Sequence, residues 1–165
     1  MQSFVFSLHY FSLSLLLYQL KYSYISEIFD LTESITDKTM QRREILLIDD
    51  DQDDLDNFID AIESLKKNVS CHTLQNPLKA LEELADSEKK PDLIFLDYNM
   101  PYINGIEFVR KLRSCPGLQG IEVVMFSTPD ENVMLPWLIK NGISVKYRSK
   151  PDTFEELKAL LGAML

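Results

Sequence analysis

From residue 43 onward, short apolar runs alternate with longer amphipathic stretches. The run Ile45 to Ile48 has no polar position, which is typical of a strand buried on both faces of a parallel sheet. The stretch that follows places Leu55, Phe58 and Ile62 at helical spacing. The predicted strands are Ile45–Ile48, Val69–Leu74, Leu93–Leu96, Ile121–Phe126 and Ser144–Tyr147, and the predicted helices are Asp54–Lys66, Pro77–Ala85, Gly105–Leu112, Asp130–Asn141 and Thr153–Leu165.

Strict alternation of strands and helices predicts an α/β fold, a doubly wound sheet of five parallel strands with five helices on its two faces. In such sheets the functional site lies beyond the carboxyl ends of the strands, where the strand order reverses. We therefore look for chemistry directly after the predicted strands.

The first 40 residues do not share this pattern. Residues 1–20 carry no Asp, Glu, Lys or Arg, but Ser, His and Gln interrupt their apolar run. A membrane span needs about 20 apolar residues, and a signal peptide begins with a basic region, so both roles are disfavoured. We expect residues 1–40 to be an N-terminal extension that is poorly ordered, is membrane-associated through residues 1–20, or arises from a misplaced start ahead of Met40. Residues 41–165 are the predicted domain.

Charge and cysteine content narrow the class of protein. The chain has 17 Lys and Arg against 26 Asp and Glu, a net charge of −9, which argues against nucleic-acid binding. Cys71 and Cys115 lack the paired spacing of a metal or redox site, so we expect reduced thiols in a cytoplasmic protein. The first glycine is Gly105, which excludes a glycine-rich phosphate loop after the first strand.

Acidic, hydroxyl and amine side chains follow four of the predicted strands. Asp49 to Asp51 follow the first strand, Asp97 the third, Ser127 the fourth, and Lys150 lies shortly after the fifth. Crowded carboxylates repel one another unless a hard cation such as Mg²⁺ neutralises them. A carboxylate can attack phosphorus, and a divalent cation with an ammonium can neutralise the phosphoryl oxygens.

Four segments of the chain resemble the receiver domain of two-component response regulators: Ile45 to Asp51, Leu93 to Gly105, Val123 to Thr128 and Tyr147 to Pro151. The most specific stretch runs from Asp97 through Asn99 and Pro101 to Asn104 and Gly105. The resemblance covers about Arg43 to Leu165 and implies the flavodoxin-like receiver fold.

The resemblance also implies an acceptor and a metal site. Asp97 corresponds to the phosphorylated aspartate. Asp50 corresponds to a direct Mg²⁺ ligand, Asp49 to an acidic partner that acts through water, and Asn99 to a ligand through its backbone carbonyl.

The remaining correspondences concern the signal. Ser127 matches the hydroxyl that binds a phosphoryl oxygen, Lys150 matches the amine that pairs with another, and Tyr147 matches the aromatic that turns inward with that hydroxyl. Thr128 stands where the family usually has alanine, and Pro136 lies inside the predicted fourth helix, which we expect it to kink.

The implied partners are a sensor histidine kinase or a histidine phosphotransfer protein, and a downstream protein target. Because the chain ends with the fifth predicted helix, we expect no output domain, and a signalling protein rather than a general turnover enzyme. Two alternatives stay open. One is a haloacid-dehalogenase-like phosphatase with Asp49 and Asp51 as its acids, although that family has threonine where this chain has Asp53. The other is a receiver-like scaffold that takes no phosphate.

Overall fold

The computed structural model describes residues 20–28 and 42–165. Contacts divide the chain into two units, Met1–Gln41 and Arg42–Leu165. In the first unit residues 20–28 are helical with exposed side chains, so the described residues contain six helices, five of them in the second unit as predicted. The expectations for residues 1–19 and 29–40, including the start at Met40, lie outside the described residues. Among the helices that are described, none has the length and apolar character needed to cross a membrane.

The second unit is a five-stranded parallel sheet in the order β2-β1-β3-β4-β5. Its strands are β1 Arg43–Ile48, β2 Val69–Leu74, β3 Leu93–Leu96, β4 Glu122–Ser127 and β5 Lys146–Ser149. Numbered within this unit, its helices are α1 Gln52–Leu65, α2 Pro77–Asp86, α3 Gly105–Ser114, α4 Glu131–Lys140 and α5 Phe154–Met164. The predicted doubly wound α/β class is confirmed.

The sheet is buried on both faces because successive side chains of a strand point in opposite directions. Leu46 and Ile48 of β1 lie in a core shared with α2, α3 and α4, whereas Ile45 and Leu47 lie in a second core under α1 and α5. Phe58 of α1 anchors the second core, where its ring meets two phenylalanine rings of the sheet edge-on. These two layers hold the strand ends in fixed positions.

Several element boundaries differ from the predicted ones by one or two residues, and two of these differences bear on the site. Helix α1 begins at Gln52, two residues before its first predicted position, because the Asp51 carboxylate caps it by accepting from the backbone N–H of Asp53. Strand β5 was predicted at Ser144–Tyr147 but spans Lys146–Ser149, so that Lys150 follows the strand directly. Helix α4 continues through Pro136 without interruption.

Candidate functional site: an acidic cleft at the carboxyl edge of the sheet

Asp49 and Asp97 lie side by side where the strand order reverses. Strands β1 and β3 are neighbours, and the N–H of Asp97 donates to the carbonyl of Ile48, 2.9 Å away. From this point the chain winds toward β2 on one side and β4 on the other. The strand-end aspartates therefore occupy the expected location of a site in a doubly wound sheet.

Three of the predicted site residues bring their carboxylates together in one cluster. Oxygens of Asp49, Asp50 and Asp97 lie within 4.8 Å of one another. Asp49 and Asp97 are buried, at 2% and 5% exposure, whereas Asp50 is exposed. Burial raises the pKa of Asp49 to about 6 against the opposing effect of Lys150, and the negative charge of Asp97 adds to the rise. An additional cation would relieve this crowding.

Lys150 brings an ammonium to the same group. Its Nζ donates to Asp49 Oδ2 at 2.6 Å and to Asp54 Oδ2 at 2.6 Å, and it lies 3.4 Å from Asp97 Oδ1. Burial opposes the charged form, but the hydrogen bonds to Asp49 and Asp54 outweigh it and raise the pKa of Lys150. The lysine is therefore a permanent cation of the cleft.

Asp54 is the residue that our sequence analysis missed. It was assigned only to the start of a helix, yet it reaches the predicted amine from the first turn of α1. A signal was available: an acidic residue in the first turn of a helix that starts at the strand-end cleft faces the same side as that cleft.

The loop after Asp97 fixes the orientation of its carboxylate. The N–H of Asn99 donates to Asp97 Oδ2 at 2.6 Å, and the N–H of Gly105 donates to the carbonyl of Tyr98 at 2.9 Å. A Cβ added at Gly105 would lie 2.8 Å from the carbonyl oxygen of Asp97, so only glycine allows this close approach. The metal role of the Asn99 carbonyl stays a prediction.

Ser127 and Tyr147 lie on the opposite side of the cleft from α1. Ser127 is buried at the end of β4, and its carbonyl accepts from the N–H of Lys150 at 2.9 Å. The ring of Tyr147 is already buried, and its hydroxyl donates to the carbonyl of Pro129 at 2.6 Å. The ring of Tyr147 therefore lies inside the core, and its role in signalling stays a prediction. Thr128 is exposed.

The family profile described as "Response regulator receiver domain" matches residues 45–162. The chain belongs to this family. Receiver domains act in two-component signalling with histidine kinases and downstream effectors, bind Mg²⁺ or Mn²⁺ at an acidic pocket, and are signalling proteins that are generally not enzymes. Membership leaves the phosphatase alternative without support. In agreement, Asp51 caps α1 and is not one of the three clustered carboxylates.

Individual relatives are similar in the same region. The chain is 26% identical over 121 residues to a cyclic di-GMP phosphodiesterase response regulator, RpfG, of Xanthomonas campestris, covering 73% of this chain and 31% of the relative. The phosphorylated cyanobacterial phytochrome response regulator RcpA shares the fold with a TM-score of 0.65 and 22% identity, covering 75% of this chain and 91% of that one. The Mn²⁺-bound response regulator Rcp1 matches with a TM-score of 0.62 and 21% identity, covering 74% of this chain and 91% of that one. The chain spans 31%, 8% and 36% of the first three curated relatives.

Proposed function

We propose that this receiver accepts a phosphoryl group on Asp97 and signals through protein contact. The observation that carries the proposal is the pairing of a buried carboxylate, Asp97, with the ammonium of Lys150 at 3.4 Å, beside the carboxylates of Asp49 and Asp50. This set combines a nucleophile, a fixed positive charge and oxygen ligands in one cleft. Each of these groups has a use in phosphoryl transfer.

The carboxylates fit a hard divalent cation. Two of the three are buried, and burial raises the pKa of Asp49, so the group gains from a cation with oxygen coordination. Asp50 and Asp97 would bind Mg²⁺ directly, Asp49 through water, and Asn99 through its backbone carbonyl. When bound, Mg²⁺ supplies positive charge to the oxygens of the transferred group.

The remaining residues act on the phosphoryl group itself. An oxygen of Asp97 attacks phosphorus, the bond from phosphorus to the donor's imidazole nitrogen breaks, and that nitrogen leaves with the electron pair. Lys150 pairs with one phosphoryl oxygen and the Ser127 hydroxyl binds another, so charge is neutralised without a proton transfer. The Asn99 N–H orients the attacking carboxylate through its bond to Oδ2. We expect the chain to assist this transfer and to have no general turnover activity.

The partners we propose are a sensor histidine kinase or histidine phosphotransfer protein as donor, and a protein target for the output. The net charge of −9 supports a protein rather than a nucleic-acid target. RcpA, which shares the fold, is described as phosphorylated, and Rcp1 as Mn²⁺-bound. We place the reaction in the cytoplasm, in keeping with two free cysteines.

The test is intact-mass measurement after treatment with acetyl phosphate and Mg²⁺. We expect the wild type to gain one phosphoryl group and Asp97→Asn to gain none. Asp92→Asn is the matched control, because Asp92 lies at the other end of the same strand and is exposed. Labelling of Asp97→Asn equal to that of the control would disprove the assignment. Absence of labelling in the wild type, with acetyl phosphate and with phosphohistidine donors, would favour the scaffold alternative.

A further inference from the structure

Lys150 is shared between two kinds of carboxylate. Asp49 and Asp97 belong to the group of three that fits a metal ion, whereas Asp54 does not. Among the residues that the structure describes, these are the carboxylates within 4.0 Å of the Lys150 ammonium. One partner of the lysine therefore lies outside the proposed metal site.

An ammonium and a metal ion compete in this cleft. Lys150 Nζ is 2.6 Å from Asp49 and 3.4 Å from Asp97, so its charge opposes the entry of a dication at the same oxygens. Asp54 lies at the same 2.6 Å distance as Asp49, so it competes with Asp49 for the ammonium from outside the three clustered carboxylates. Since the lysine side chain is 15% exposed, water screens these interactions only in part.

We propose that Asp54 is a positioning residue that competes with Asp49 for Lys150 and so favours Mg²⁺ binding at Asp49 and Asp97. This inference rests on the proposed metal site and adds a residue to its regulation. Without Asp54, the carboxylates that remain near the ammonium are Asp49 and Asp97, and both belong to the proposed metal site. Loss of Asp54 then weakens Mg²⁺ binding through Lys150 and not through loss of a ligand.

Asp53 provides the matched control. Asp53 and Asp54 are consecutive acids in the first turn of α1, so both interact favourably with the helix dipole. Asp54 contacts Lys150, and Asp53 is exposed. The variants Asp53→Asn and Asp54→Asn each remove one negative charge from this turn. Any difference between them in Mg²⁺ affinity reports the contact with Lys150.

The experiment is calorimetric titration of the full chain with Mg²⁺. We expect Asp54→Asn to lower the affinity about threefold to fivefold, the size of one partly exposed charge pair, and Asp53→Asn to lower it less than about twofold. In a Lys150→Met background the two variants should have equal effects, because the competing cation is gone. Asp54→Glu should recover part of the wild-type affinity.

Two outcomes would overturn the inference: equal affinities of Asp53→Asn and Asp54→Asn, or a difference between them that persists in the Lys150→Met background. Both leave the proposed function intact. A wild type that does not bind Mg²⁺, or an Asp50→Ala variant that binds it as well as the wild type does, contradicts the metal site itself, and this inference with it. The two failures are therefore distinguishable.

Discussion

Helices α1 and α4 pack on opposite faces of the same sheet and differ in how much of their apolar surface is buried in the core. Helix α1 buries one complete face, including Leu55, Phe58 and Ile62, and its other face is polar. Helix α4 buries Met134 and Leu138 but leaves large apolar side chains exposed, with Ile139 at 74%. The core thus holds α1 in a position from which Asp54 reaches Lys150, whereas α4 leaves apolar surface exposed.

The connection of each helix to the cleft also differs. Helix α1 follows the acidic residues directly, and Asp51 caps it. Helix α4 is connected through β5, because the hydroxyls of Tyr147 and Ser149 both donate to the carbonyl of Pro129, just ahead of the α4 N-cap residue Asp130. These two hydrogen bonds join β5, which ends next to Lys150, to the start of α4.

The largest expected effect tests the difference in core packing. Phe58 is 1% exposed and its ring lies 4.9 Å from that of Phe95, so Phe58→Ala should lower the free energy of unfolding by about 3 to 5 kcal/mol. Ile139→Ala on α4 should change it by less than about 0.5 kcal/mol. Urea denaturation measures both. Similar losses in the two variants would contradict the comparison.

Sequence patterns predicted the strands, the layer order and the strand-end acids because apolar runs and their spacing record burial directly. They failed where contacts between residues far apart in the chain determine a boundary or a side-chain partner. Strand β5 has one fully buried position, Tyr147, so the apolar residues before it gave a wrong boundary. The position of Asp54 in the first turn of α1 indicates the cleft, but nothing in its local sequence distinguishes it from Asp53 or indicates its lysine partner 96 positions away. The capping of α1 by Asp51 was hidden among five acids within six residues.

The next effect concerns the cleft end of α1. A cation bound only to the folded state raises the free energy of unfolding by about 2.7 kcal/mol at a hundredfold excess over Kd. We expect saturating Mg²⁺ to raise the melting temperature of the wild type and to leave Asp50→Ala unchanged. Asp130→Asn removes a charge at the start of α4 but keeps a good N-cap, and should respond as the wild type does. A full response in Asp50→Ala would refute its metal role.

Replacing Pro136 tests how much this proline lowers the stability of α4. It is the sixth residue of the helix and is exposed, so it removes one backbone hydrogen bond without filling the core. Alanine is favoured over proline inside a helix by about 3 kcal/mol. Because the unfolded chain is more flexible with alanine than with proline, about 1 kcal/mol of this gain is lost. Pro136→Ala should therefore raise the free energy of unfolding by about 2 kcal/mol. A loss of stability in urea denaturation would show that the proline ring makes contacts that α4 needs.

The smallest effect concerns the bond that connects β5 to the start of α4. Tyr147→Phe removes the hydroxyl that donates to Pro129, and should lower the free energy of unfolding by about 1 kcal/mol at neutral pH. Burial, helped by the negative charge of Asp97, raises the pKa of Tyr147 to about 12. Because the folded state favours the protonated hydroxyl and an unfolded tyrosine ionises near pH 10, the contribution is complete below about pH 10 and is lost as the pH rises to about 12. Urea denaturation across this pH range measures the difference in the free energy of unfolding between the wild type and Tyr147→Phe. The titration of other groups largely cancels in this difference. A difference that stays constant up to pH 12 would show that the hydroxyl is not held as a buried donor.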